Sequence, residues 1–362
     1  MDEFRDELAC RALVSEIHVR AAGSRFLALM EFCGGHTHAI GRNGIRQSLP
    51  TNVRLLSGPG CPVCVTSQEE IDRAIAIAGL DDVILASFGD MLRVPGSNGS
   101  LLEARAQGAD VRIVYSAMDA LQLAAAHPER MVVFLGIGFE TTAPGVAVAL
   151  LQAQAAAIRN FLVFSLHKLT PPAMRAIIQA GEVSLDGIIG PGHVTTIIGA
   201  EAWQFLPREF ALGCAISGFE PTDILLAIKE LVSMAVNGKP MVANCYSRSV
   251  TARGNLKAQE IMARVFEAVT VPWRGLGAVP ASGLKLRPEF ELFDAERHLS
   301  VPDVPAWEPA GCHCGEVLRG VMAPEQCSLF ARACTPASPV GPCMVSSEGA
   351  CAAHYELAEQ VD

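Results

Sequence analysis

Short unbroken apolar runs alternate with longer amphipathic or Ala-rich stretches along the first two-thirds of the chain. The runs Phe26–Met30, Val53–Leu56, Val83–Ser87, Val111–Tyr115, Met131–Leu135, Phe161–Ser165, Gly187–Ile189 and Ala211–Ile216 have the length and composition of strands. Between them, Gln68–Ala78, Leu101–Gln107, Ala117–Ala126 and Ile224–Ala235 read as helices. Strand–helix alternation predicts parallel, helix-flanked sheets, an α/β fold. These eight runs exceed one mononucleotide-type half, so two α/β domains are expected, 1–125 and 126–238. A short echo, Gly138-Phe139-Glu140-Thr141-Thr142 and Gly218-Phe219-Glu220-Pro221-Thr222, follows one run in the second domain and another near its end. Duplication and chance recurrence explain that echo equally well. Beyond Gly238 the pattern changes to Pro-punctuated segments such as Val271-Pro272-Trp273 and Val279-Pro280, and 239–362 is expected to be a third, cysteine-rich domain.

Composition narrows the function. Half of the 362 residues are hydrophobic and 18% are charged, enough for a large core, and the net charge is −10. An acidic balance argues against a nucleic-acid or anionic-membrane surface, both of which need an excess of Lys and Arg. The longest uncharged stretch, Thr141 to Ile158, contains Pro144 and reads as a buried helix rather than a membrane span. The charged start, Asp2-Glu3-Phe4-Arg5-Asp6-Glu7, lacks the apolar core of a signal peptide, and a cytoplasmic location is expected. Twelve cysteines in a reducing compartment point to metal or redox chemistry rather than structural disulfides.

The cysteines and the unusual loops coincide. Cys33-Gly34-Gly35-His36-Thr37-His38 follows the first run, and Gly58-Pro59-Gly60-Cys61-Pro62-Val63-Cys64 follows the second. In an open parallel sheet ligands bind outside the carboxyl ends of the strands, so these loops are expected to share a cleft with Gly138–Thr142 and with Gly190-Pro191-Gly192-His193. Cys33, His36 and His38 offer a thiolate and two imidazoles, donors suited to zinc or iron. Cys33, without a nearby sequence partner, is the preferred principal thiolate. Cys61 and Cys64 form a C-x-x-C turn that either closes a disulfide or chelates a soft metal. Glu140 and Glu220 read equally as catalytic acids or as first-turn helix acids. His193 is a candidate to orient a ligand, and His167 a weaker one. Cys10, Cys214 and Cys245 read as buried small hydrophobes. Six more cysteines, Cys312, Cys314, Cys327, Cys334, Cys343 and Cys351, punctuate a Gly-, Pro- and Ser-rich end. Six exceed one four-ligand site by two, which suits an iron–sulfur cluster beside a spare dithiol. A disulfide reductase fed by a cluster and a module stapled by two zinc sites are the competing readings.

Three motifs carry a resemblance. Glu31-Phe32-Cys33-Gly34-Gly35-His36-Thr37-His38, Gly58-Pro59-Gly60-Cys61-Pro62-Val63-Cys64-Val65-Thr66 and Gly341-Pro342-Cys343-Met344-Val345-Ser346-Ser347-Glu348-Gly349-Ala350-Cys351 closely resemble the HypD family, iron–sulfur maturation factors of [NiFe] hydrogenases. The resemblance extends over nearly the whole chain. It implies two α/β domains and a third holding a [4Fe–4S] cluster. It also implies a small chaperone partner, HypC, a cyanide donor, HypE, and a transient iron that becomes Fe(CN)2CO. By the same resemblance Cys33 is the iron-site cysteine and Cys61 and Cys64 are redox-active. The cluster ligands would be Cys312, Cys327, Cys334 and Cys351, with Cys314 and Cys343 as the adjacent dithiol.

Overall fold

Every one of the eight apolar runs forms a strand, because parallel strands covered by helices on both faces need apolar side chains at every position. The computed structural model describes residues 2–301 and 305–359, so the expected outer limits at 1 and 362 lie outside the described residues. In chain order the strands are β1 (Leu27–Glu31), β2 (Val53–Ser57), β3 (Val83–Ser87), β4 (Val111–Ile113), β5 (Met131–Gly136), β6 (Phe161–Ser165), β7 (Gly187–Pro191), β8 (Gly213–Ser217), β9 (Val242–Asn244), β10 (Phe266–Trp273) and β11 (Gly277–Leu286). The strands β1, β3, β6, β7 and β8 are buried at every residue. Each Leu, Ile, Val or Phe so covered contributes about 1.5–3 kcal/mol of transfer free energy.

The strands assemble into two parallel sheets and an antiparallel hairpin. One sheet has the order β2-β1-β7-β8-β9, the other β4-β3-β5-β6, and β10 pairs with β11. The expected division at 125/126 does not hold. The chain starts one sheet with β1 and β2, builds the whole of the second with β3 to β6, and returns to the first with β7. Register fixes this return: Leu29, Met30 and Glu31 of β1 lie opposite Gly187, Ile188 and Ile189 of β7. Sequence periodicity specifies strands but not their neighbours, so it missed the interleaving. The two sheets also share a core, in which Met30, Leu56 and Ile188 pack in one cluster with Leu85, Val133 and Leu162.

The expected third domain at 239–362 is likewise divided. Strand β9 completes the edge of the five-stranded sheet. The helix Leu256–Val265 and the β10–β11 hairpin pack on the four-stranded sheet, where Val265, Phe266, Leu284 and Leu286 join Phe134, Leu150 and Phe161 in one core. Only the segment from about Gly311 onward forms the cysteine-rich unit, ending in the helix Ala350–Glu359. The uncharged stretch near residue 150 is the helix Ala143–Ala155, with Val146, Ala147 and Leu150 buried. Among the described residues no helix is long and apolar enough to cross a membrane.

Candidate functional site

Loops from both sheets meet at a cleft of about 630 Å³ whose walls include Cys33, His38, Thr142, His193, Phe219 and Glu348. Cys33 lies at the end of β1, where extended backbone turns into the helix Gly34–Arg42. Burial pushes its thiol up to about 12, and the nearby Glu348 carboxyl adds to this. The neutral thiol is therefore favoured, against the pull of the Gly35 and His36 backbone N–H groups, and a cation brought next to it shifts the balance toward the thiolate.

The second cysteine loop is clasped against the first. An added Cβ on Gly60 would stand 2.3 Å from the Cα of Cys33, so only a residue without a side chain permits this approach. The Gly34 N–H donates to the Gly60 carbonyl at 3.1 Å. Beneath both loops lies Glu31, fully buried at the end of β1. Its carboxylate accepts from Thr37 Oγ1 at 2.9 Å, Ser57 Oγ at 2.7 Å and the Gly58 N–H at 3.2 Å. Burial raises this carboxyl to about 7 against the pull of those donors. Glu31 was not singled out as a site residue, although an acid ending an otherwise apolar strand was the available signal.

The predicted histidines part company. His38 lines the cleft, with its Nδ1 3.6 Å from Glu356 Oε2. His193 lines it too, stacked on Phe219 with ring centroids 4.0 Å apart, and burial lowers its pKa. His36 is fully buried behind Phe219, 4.6 Å between centroids, and its Nε2 donates to the Gly218 carbonyl at 2.9 Å. Burial lowers His36 to about 4, so the ring is neutral and supports the wall rather than facing the cleft. His167 is buried at a distance, bonded through Nδ1 to Ser165 Oγ.

Glu140 does not line the cleft either. Its two carboxylate oxygens accept from the N–H and hydroxyl of Thr170, at 2.8 and 2.9 Å, capping the helix Thr170–Ala180 from the loop after the neighbouring strand β5. Glu220 precedes the helix Pro221–Asn237 and pairs with Arg5 at 2.5 Å. Glu140 thus serves a helix end, whereas Glu220 lines the cleft with its carboxylate held by Arg5. Of the isolated cysteines only Cys214 is buried; Cys10 and Cys245 are partly exposed at the margin of the five-stranded sheet's core.

Cys61 and Cys64 are free thiols, buried in the wall behind Gly60 and Pro62 rather than in the cleft. Cys61 caps the short helix Pro62–Val65, its Sγ accepting from the Cys64 N–H at 3.4 Å. Cys64 reaches the cysteine-rich unit: its Sγ donates to the Pro342 carbonyl at 3.8 Å. The next residue, Cys343, is disulfide-bonded to Cys314, with Cα atoms 6.2 Å apart.

All six cysteines of the last unit line one small apolar cavity, together with Val317, Leu329, Phe330 and Met344. Cys312, Cys327, Cys334 and Cys351 are free. Burial and then the charges of Cys334, Cys312 and Cys327 push the Cys351 thiol up, and burial with Cys334 and Cys327 brings Cys312 to about 11. Cys312 and Cys351 therefore rest as neutral thiols, and a cationic group placed among the four cysteines would favour their thiolates. Gly341 leaves room for one, since a Cβ there would come 2.5 Å from Cys312 Sγ. Soft thiolates in an apolar cradle are the donor type of an iron–sulfur cluster. Among the described residues no three His, Cys, Asp or Glu side chains converge closely enough for a single ion. The shared cavity, rather than tight convergence, is what groups these four.

The sequence matches known proteins along nearly its whole length. The profile described as "HypD: Hydrogenase formation hypA family" matches residues 8–358. The hydrogenase maturation factor HypD of Azotobacter vinelandii is 50% identical over 99% of this chain and 97% of its own length. Its counterpart in Rhizobium leguminosarum bv. viciae is 47% identical over 100% and 98%, and that of Escherichia coli K12 is 44% identical over 99% and 98%. With the two cysteine loops, the interleaved sheets and the six-cysteine unit all inside the matched span, the chain belongs to the HypD family of hydrogenase maturation factors.

Proposed function

We propose that this chain is the scaffold on which the Fe(CN)2CO group of [NiFe] hydrogenase is assembled, working with a HypC-type small chaperone and receiving cyanide from a HypE-type donor. The observation that carries this reading is the placement of one free thiol, Cys33, in a cleft walled by loops of both sheets, with His38 and His193 beside it. In this scheme the iron is cargo. Cys33 holds it as a thiolate, the form that an adjacent cation favours, while the cleft is open to a partner that brings or removes ligands. His38 and His193 orient or stabilise what is bound. Glu31 keeps the two loops in register and acts as a positioning residue.

The cysteine-rich unit supplies redox capacity. Cys312, Cys327, Cys334 and Cys351 would hold a [4Fe–4S] cluster, which stores and releases single electrons when bound. Cys64 is adjacent in the chain of contacts to Cys343. Attack of the Cys64 thiolate on Cys343 Sγ would break the Cys314–Cys343 bond and release the Cys314 thiolate. Attack of Cys61 on the mixed disulfide would then free Cys343 and leave Cys61–Cys64 oxidised. Two electrons pass to the Cys314–Cys343 pair in this direction, and two return in the reverse one.

The test is replacement of Cys33 by Ala in cells that mature a [NiFe] hydrogenase. Active hydrogenase should disappear, while the purified variant keeps the iron and labile sulfide of the parent. Full maturation by that variant would remove Cys33 from the scheme.

A further inference from the structure

A second cleft, of about 320 Å³, lies where the free edge of β2 faces the cysteine-rich unit. Arg46, Arg54 and Leu56 line it from the sheet side, and Met322, Glu325 and His354 from the other. Two nitrogens in its walls, Arg46 Nε and His354 Nε2, are buried without a hydrogen-bond partner. Buried polar nitrogens are nearly always partnered, and two orphans in one cleft point to a ligand that partners them.

The surroundings specify its charge. His354 is 8% exposed, and its Nδ1 donates to Glu325 Oε1 at 2.5 Å, which fixes the ring and engages that carboxylate. Arg54 is exposed and, among the described residues, has no hydrogen bond or ion pair to offset its charge, while Arg46 spends one nitrogen on the Leu55 carbonyl. That bond also blocks the edge of β2, so an added peptide strand is not the occupant. Two guanidinium groups face one carboxylate in the cleft, Glu325, which His354 already engages, while Glu31, outside the cleft, also acts on Arg46; guanidinium forks match carboxylate and phosphate oxygens. Leu56 and Met322 give the cleft an apolar side. Its volume falls at the small end of ligand pockets, about 300–1,000 Å³.

We propose that this cleft binds a small molecule bearing a phosphate or carboxylate group, clamped between Arg46 and Arg54 on the sheet and His354 on the cysteine-rich unit, whose Nε2 donates to the anion in the imidazolium form. Such a ligand bridges two parts of the molecule. Ser57, whose hydroxyl holds Glu31, lines the cleft on one side, and the helix Ala350–Glu359 that carries Cys351 supplies the other. Occupancy would therefore tighten the seat of the cysteine-rich unit on the sheet. The proposal stands apart from the role of Cys33.

Isothermal titration calorimetry on the full, anaerobically purified chain tests it, with pyrophosphate, phenyl phosphate and citrate as probes. At least one should bind one-to-one with a Kd below about 1 mM. Phosphate probes alone would assign the headgroup as phosphate, and citrate alone as carboxylate. Arg54→Ala, at an exposed side chain, should weaken binding at least about tenfold, as should His354→Gln. Arg42→Ala, in the other cleft, should leave it unchanged. No binding by any probe would overturn the proposal. So would binding that survives Arg54→Ala intact or is lost in Arg42→Ala, which would mark an adventitious ion only.

Discussion

The Cys33 cleft and the six-cysteine cavity are both built on thiols, yet they are made in opposite ways. The cleft is wide, lined by loops of both sheets, and mixes a thiol with two imidazoles, the carboxylates of Glu220 and Glu348 and the rings of Phe139 and Phe219. The cavity is small and apolar, and its thiols come from one local segment. A site open to both sheets suits exchange with partners, whereas a closed cradle of four thiols suits retention of a resident group. Cys61 and Cys64 stand between them, one loop removed from Cys33 and one hydrogen bond from the Cys343 segment. The contrast assigns cargo to the first site and electron storage to the second, under the proposal above.

That contrast can be broken by substitution. The largest effect is expected from Cys351→Ala: bound iron and labile sulfide should fall to background, while circular dichroism keeps the α/β signature. Retention of full labile sulfide would move the ligand set elsewhere. Next, Gly60→Ala should destabilise the chain by about 1–3 kcal/mol, because the new methyl meets the backbone of Cys33 and neither loop can give way. Gly341→Ala should be milder in stability, since it meets the movable Cys312 side chain, but should lower cluster retention. Denaturant titrations with parallel iron assays separate the two glycines: one loses stability, the other iron.

The smallest effect is in pH dependence. Glu31 and Glu140 are both raised to about 7, so the folded chain holds their protons more tightly than the unfolded chain. Their contribution to stability is full below about pH 4.5 and declines as pH rises toward 7. Glu31→Gln and Glu140→Gln should each flatten that decline, by a few kcal/mol at most. Only Glu31→Gln should also reduce maturation, because only Glu31 ties the two cysteine loops together. Equal loss in both would mean that the loops depend on general stability rather than on Glu31.

Much of this was legible in the sequence where local chemistry decides the outcome. The strands Val83–Ser87 and Phe161–Ser165 and the helices Gln68–Ala78 and Ala117–Ala126 have the predicted bounds, since unbroken apolar runs and Ser caps specify them locally. Cys33, His38 and His193 meet in one cleft as the loop positions implied. What failed was non-local. Nothing in the composition of β6 or β7 announces that the chain changes sheets between them, and the domain limits at 125 and 238 fell with that. Likewise, Glu140 sits in a motif like that of Glu220, but its role is set by Thr170 after the neighbouring strand β6, a partner that spacing does not reveal. His36 and His38 are two residues apart, and the helix turn sends one into the core and the other to the cleft.

The central claim is that Cys33 holds the iron as cargo while the six-cysteine unit keeps its own group. An infrared spectrum of the anaerobically purified chain, co-expressed with the other maturation proteins and the small chaperone, tests it most directly. The account predicts cyanide and metal-carbonyl bands that vanish in Cys33→Ala while the visible absorption of the cluster persists. A bare spectrum from the cluster-loaded parent complex would contradict it and leave the chain as an electron carrier, with the diatomic ligands installed elsewhere.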